Sequence, residues 1–149
     1  MTTKFKHTHI VAADWRRLAR FYEEVFGCVS VPPERILSGE WLSKGTGVAN
    51  AQFSGMHLRL PGYGEEGPTL EIYQYSENLP RSPTVANREG IRHLAFEVDA
   101  VEQTLARILR HGGRKVGEIV TAEVEGTGLL TFVYGADPEG NIIELQAWG

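Results

Sequence analysis

At 149 residues, with 42% hydrophobic and 23% charged side chains, the chain has the size and composition of a single globular domain with a core of its own. A net charge of −4 removes the electrostatic case for nucleic acid or an anionic membrane surface as partner, and the lone Cys28 excludes an internal disulfide framework. The first residues lack the apolar core of a signal peptide and no stretch reaches membrane-spanning length, so a soluble, cytoplasmic protein is expected.

In chain order, the apolar run 5–12 reads as a strand carrying His7 and His9. Asp14 then caps a helix whose apolar residues Leu18, Phe21, Tyr22 and Val25 share one face and which stops at Gly27. The segment 31–50 is rich in Pro, Gly, Ser and charge, with Trp41 and Leu42 as isolated apolar residues. It is read either as a surface loop or as a flap over substrate, with room for a short strand between 28 and 50. Strands follow at 51–60 and 68–75, joined by Pro61-Gly62-Tyr63-Gly64. Ser76 to Glu89 then forms a connection. A second set begins with a strand at 91–98. Asp99 and Glu102 read as a capping box for a helix carrying Val101, Leu105, Ile108 and Leu109, ended by Gly112-Gly113. Strands at 115–121, 129–135 and 141–147 complete it, the last two joined by the hairpin turn Asp137-Pro138-Glu139-Gly140-Asn141.

The second set repeats the first. His7 and His93 occupy the same place in their opening strands, and Glu71 and Glu144 the same place in their closing ones. Each copy is a strand, a helix and a three-stranded meander. The expected fold is therefore α+β, two βαβββ modules at about 5–76 and about 90–148 forming an open barrel-like cleft within the single domain 1–149. Alternation turns Thr8, Ile10, Ala12, Leu70 and Ile72 toward the helix and His7, His9, Val11, Glu71, Tyr73 and Tyr75 toward the concavity. In the second module Leu94, Phe96, Val98, Ile143 and Leu145 pack, while His93, Ala95, Glu97, Ile142, Glu144 and Gln146 face in.

Two imidazoles and two carboxylates on one concave side suit a borderline divalent ion such as Ni, Co, Zn, Mn or Fe(II). The expected ligands are His7, Glu71, His93 and Glu144, with His9 open as an alternative or additional histidine. An ion so held leaves two adjacent positions for substrate oxygens. It polarises a carbonyl while Glu71 or Glu144 removes a neighbouring proton and the enediolate is stabilised. His9, His57, Arg59, Tyr73 and Trp41 are the candidate substrate-binding residues. His111 suits a helix C-terminus, and Cys28 reads as a packed small side chain.

The ordered set His7 with Asp14, Phe21-Tyr22-Glu23-Glu24-Val25-Phe26-Gly27, Leu70-Glu71-Ile72, Gly90-Ile91-Arg92-His93-Leu94-Ala95-Phe96 and Asp137 through Leu145 resembles the vicinal oxygen chelate superfamily. That superfamily includes glyoxalase I, methylmalonyl-CoA epimerase, bleomycin-resistance proteins and extradiol dioxygenases. The resemblance covers nearly the whole chain. It implies paired βαβββ modules and a divalent ion on His7, Glu71, His93 and Glu144, preferring His7 to His9. A full ligand set is similar to that of glyoxalase I and the epimerases, which implies a metal-dependent lyase or isomerase. The alternatives are an extradiol-type dioxygenase or thiol transferase on the same scaffold, or a non-catalytic protein that sequesters a small molecule. No glutathione anchor is recognised. Exposed sheet edges and the resemblance both point to a homodimer, the ligands coming from one chain or from two. The expected partner is a small-molecule substrate with adjacent oxygens, with no nucleic acid and no membrane.

Overall fold

Alternation in the first apolar run produces β1 (His7–Val11), in which His7, His9 and Val11 are more exposed than Thr8 and Ile10. In the computed structural model, which describes residues 1–149, the Asp14 side chain accepts a hydrogen bond from the Arg17 N–H at 3.2 Å and starts α1 (Trp15–Phe26). The helix buries Leu18, Phe21, Tyr22 and Val25. It closes on Gly27, whose φ of 70° is the left-handed conformation a side chain resists. The Cys28 N–H then donates back to the Tyr22 carbonyl at 3.2 Å.

The segment read from sequence as a loop or flap, with room for a short strand, is regular structure, and that strand is present and longer than expected. It contains the ten-residue edge strand β2 (Val29–Ser38) and the short helix α2 (Glu40–Thr46). Pro32 and Pro33 masked the strand, yet they lie where the register with the next strand shifts between Val31 and Arg35, on a sheet edge that requires no N–H from them. Leu42 is the apolar anchor of α2. β3 (Gln52–Arg59) and β4 (Thr69–Tyr75) follow, and the sheet order is β1-β4-β3-β2, with β1 parallel to β4. Leu58, Leu70 and Ile72 are fully buried on one side of this sheet. Burying each contributes roughly 1.5–3 kcal/mol.

The second set forms β5 (His93–Glu97), α3 (Val101–Arg110), β6 (Arg114–Lys115), β7 (Val120–Val124), β8 (Gly128–Ala136) and β9 (Ile142–Trp148). Its order is β5-β9-β8-β6, with β7 also paired to β8 and β5 parallel to β9. Three local expectations are corrected. The capping box does not form, since the N-cap is Ala100 and no side chain accepts from the free N–H groups of the first turn of α3. Leu109 lies off the buried stripe and is 48% exposed. The strand expected at 115–121 is instead the separate pieces β6 and β7. Two side chains hold the ends of this unit's elements. His111 Nδ1 lies 2.8 Å from the Arg107 carbonyl at the end of α3. Buried Asp137 organises the β8–β9 turn, accepting from the N–H groups of Glu139 and Asn141 at 2.9 and 3.0 Å.

The chain divides into two compact units, Met1–Pro80 and Arg81–Gly149, and the boundary falls inside the expected connection 76–89. Each carries one open sheet, so the protein has two sheets and three helices and neither sheet closes into a barrel. No helix is long and apolar enough to cross a membrane.

Candidate functional site

Strand pairing puts the two histidine–glutamate pairs in the same register. In the first unit Glu71 stands opposite His9, two residues past His7; in the second Glu144 stands opposite Ala95, two residues past His93. Side chains two apart on a strand share a face. The imidazole and the carboxylate therefore meet across a parallel strand pair. His7 Nε2 lies 2.8 Å from Glu71 Oε2, and His93 Nε2 lies 3.0 Å from Glu144 Oε2.

The first unit adds more around its carboxylate. His9 Nδ1 is 3.2 Å from Glu71 Oε2, and His57, directly opposite Glu71 on β3, brings Nε2 within 2.8 Å of Oε1. His57 Nε2 is also 2.9 Å from the Tyr73 hydroxyl. With a proton on Nε2 the imidazole donates to Glu71; with it on Nδ1, Nε2 accepts from Tyr73. In the second unit the position matching His57 is Tyr134, opposite Glu144, its ring 4.9 Å from that of His93. The two halves are alike in their His–Glu pairs and unlike in everything around them.

Burial sets the protonation of the neighbours. It lowers the pKa of His57, a shift the Glu71 charge opposes. It raises Tyr73 to about 12, assisted by Glu71, and also raises Tyr134, assisted by Glu144. Both tyrosines are therefore neutral hydrogen-bond donors near neutral pH. Tyr73 is held by aromatic contacts on two sides, stacked on His9 at 5.3 Å and packed on Phe53 at 4.7 Å.

A cavity of about 510 Å³ in the first unit is lined by His9, Arg35, Phe53, His57, Glu71 and Tyr73, among others. Of the candidate binding residues, it therefore gathers His9, His57 and Tyr73. Arg59 shares the face of His57 but stands opposite Thr69, outside the cavity. Trp41 is 63% exposed on α2 and does not line it either. Arg35 was missed because its segment was read as a loop and so had no face. The alternation Val29-Ser30-Val31 ahead of the prolines and the apolar pair Ile36-Leu37 after them are the signal that the sequence offers.

As to a metal, imidazole nitrogen and carboxylate oxygen are the right donors. Separations of 2.8 and 3.0 Å match two adjacent ligands at bond lengths of about 2.0–2.2 Å. As the side chains stand, each imidazole lies against its own carboxylate, and no three His, Cys, Asp or Glu side chains are arranged as a metal-holding group.

A glyoxalase-like domain family model matches residues 7–146. Among solved structures, the chain is similar to a glyoxalase family protein from Bacillus cereus (TM-score 0.75, 19% identity, 98% of this chain and 93% of that one). It is also similar to a glyoxalase family protein from Enterococcus faecalis (TM-score 0.60, 25% identity, 96% of each chain). A glyoxalase I variant from Zea mays matches at TM-score 0.64 and 21% identity, over 96% of this chain and 44% of that one. No curated protein is similar enough in sequence to count as a match.

Proposed function

We propose that this chain, which belongs to the glyoxalase-like domain family within the vicinal oxygen chelate superfamily, is a divalent-metal-dependent lyase or isomerase acting on a small molecule with adjacent oxygens. The observation that supports this reading most is the shared register. Two units of different surroundings keep the same His–Glu pair on the same parallel strands, two residues apart. Packing alone asks for no such pair on a half-exposed face, whereas a site assembled from both pairs does. The proposed ligands are His7, Glu71, His93 and Glu144, drawn from one chain or from two copies in a homodimer.

An ion of the Ni, Co, Zn, Mn or Fe(II) type, when bound, supplies Lewis-acid polarisation of a substrate carbonyl and stabilises the enediolate charge. The side chains supply the proton transfers. Glu71 and Glu144 are the proposed bases at the carbon beside that carbonyl. A proton taken up by Glu71 Oε1 stands 2.8 Å from His57 Nε2, which can accept it; the Tyr73 hydroxyl, itself protonated, lies 2.9 Å from the same nitrogen and can only donate to it. Glu144 faces Tyr134 where Glu71 faces His57, and Tyr134 stays protonated. The two carboxylates are therefore suited to unequal roles.

The test is metal content by elemental analysis of the wild-type protein, His7→Ala and His93→Ala. It is paired with turnover of 2-oxo aldehydes and acyl thioesters by Glu71→Gln and Glu144→Gln. The reading expects bound transition metal that each alanine variant loses, and turnover that each glutamine variant loses. Ligand binding without metal, and without thermal stabilisation by any of the five ions, would leave a sequestering protein instead. A second reading rests on the donor types of the first unit. Glu71 meets His7, His9 and His57, so two of those imidazoles with the carboxylate would make the two-histidine, one-carboxylate set used by non-haem Fe(II) oxygenases, and oxygen uptake with catechol substrates would select it.

A further inference from the structure

The irregularity in β2 puts a cation on the open face of the first sheet. Val31 stands opposite His57, yet the next paired residue, Arg35, stands opposite Gly55, so Pro32, Pro33 and Glu34 are extruded between them. Gly55 is itself opposite Tyr73. Arg35 and Tyr73 thus flank a position with no side chain, one cross-strand row away from His57 and Glu71. The cavity of about 510 Å³ opens over these rows. Its volume is within the usual range for small-ligand pockets. Phe53 and Tyr73 give it an aromatic wall.

The guanidinium is partly committed. Nη1 donates to the carbonyls of Val31, at 3.0 Å, and Pro33. Those bonds fix its plane and leave the Nε–Nη2 edge without a protein acceptor. No carboxylate competes for it, since Glu34 is paired with Arg16 at 2.7 Å and Glu71 is surrounded by three imidazoles. The edge of a guanidinium presents two parallel N–H groups at the spacing of a carboxylate's oxygens.

We propose that Arg35 determines specificity in this cavity and that the substrate is an organic carboxylate with an apolar, ring-sized body. The carboxylate sits on the Nε–Nη2 edge of Arg35, the body against Phe53 and Tyr73, and the reacting end toward Glu71. This deepens the reading given above and depends on it only for the reacting end. Anion recognition belongs to Arg35 and requires no metal.

Calorimetric titration in EDTA separates the two. The probes are benzoate, phenylacetate and 3-phenylpropanoate, each against its neutral primary amide, on the full-length chain. The wild type is expected to prefer at least one carboxylate by about ten- to a hundredfold, the worth of a charge-assisted bidentate contact. Arg35→Met should abolish the preference, and Arg35→Lys should keep part of it, the charge remaining without the fork. If Arg35→Met fails to fold by circular dichroism, the wild-type and Arg35→Lys titrations decide. Equal binding of acid and amide, no binding of any acid up to millimolar concentration, or a preference undiminished in both variants overturns the proposal. Because the titration is metal-free, loss of metal binding in His7→Ala or His93→Ala bears on the lyase reading and leaves this one standing.

Discussion

Glu71 meets three imidazoles and Glu144 meets one, and that difference could not be read from the repeat alone. His57 was visible as a polar residue alternating with apolar ones, but its partner became clear only once β3 was set beside β4 with His57 opposite Glu71. Cys28 shows the opposite case, a residue whose bland reading holds. It is buried, and burial, with a contribution from Glu23, raises its pKa from 9.0 to about 12. The thiolate is the reactive form. The native thiol is therefore expected to resist a disulfide reagent such as DTNB that modifies it promptly in denaturant. The sign of the linked stability follows. Below 9.0 both states carry the thiol; above it the unfolded chain ionises first, so this group lowers stability as pH rises toward about 12. Urea midpoints measured on either side of 9.0 should fall more in the wild type than in Cys28→Ala, and equal falls would contradict the assignment.

Among the elements, the helices were the most legible because their apolar residues recur at helical spacing, and the edge pieces the least. β2 hid behind two prolines that an edge strand tolerates, and α2 behind a glycine-rich surround with Leu42 as its one buried residue. The two long helices differ at their starts. Asp14 caps α1, whereas Ala100 occupies the equivalent place in α3, with φ −142° and ψ 104°, the extended geometry an N-cap adopts. Ala100→Asp is therefore expected to stabilise the protein by about 0.5–2 kcal/mol through a bond to the N–H of Glu102 or Gln103, read as a rise in the urea midpoint. Gly55→Ala should act in the other direction. A Cβ there would collide with the Ile72 carbonyl and with the backbone and ring of Tyr73. Backbone obstacles cannot swing aside as a long side chain does, so the variant should lose at least about 2 kcal/mol. An unchanged midpoint in Gly55→Ala would mean that β3 and β4 are less tightly packed than described.

At the scale of the whole molecule, the duplication was legible from matching His, Asp, Gly and Glu positions, because each repeat opens on a strand and a helix and closes on an antiparallel strand pair, whatever lies between. The asymmetry between halves was not, because it resides in residues such as Arg35 and Tyr134 whose meaning depends on strand pairing. The boundary between the units offers the last prediction. Residues 76–92 contain no helix or strand, and nearly all are exposed. Their side-chain bonds are few. Asn78 reaches the Ala12 carbonyl at 2.9 Å, and Arg81 holds Thr84 and Asn141 at 3.2 Å each. Most other Lys and Arg residues lie in helices or strands, whose backbone must open locally before a protease can bind it; those in the segment need no such opening. Brief trypsin digestion should therefore cut early after Arg88, and more slowly after the better-tethered Arg81, while both sheets stay intact. Mass spectrometry of the early products should show two fragments meeting at one of these residues, one with His7 and Glu71 and the other with His93 and Glu144. Early internal cuts within α1, α3 or either sheet would show that the units are less stable than the segment joining them.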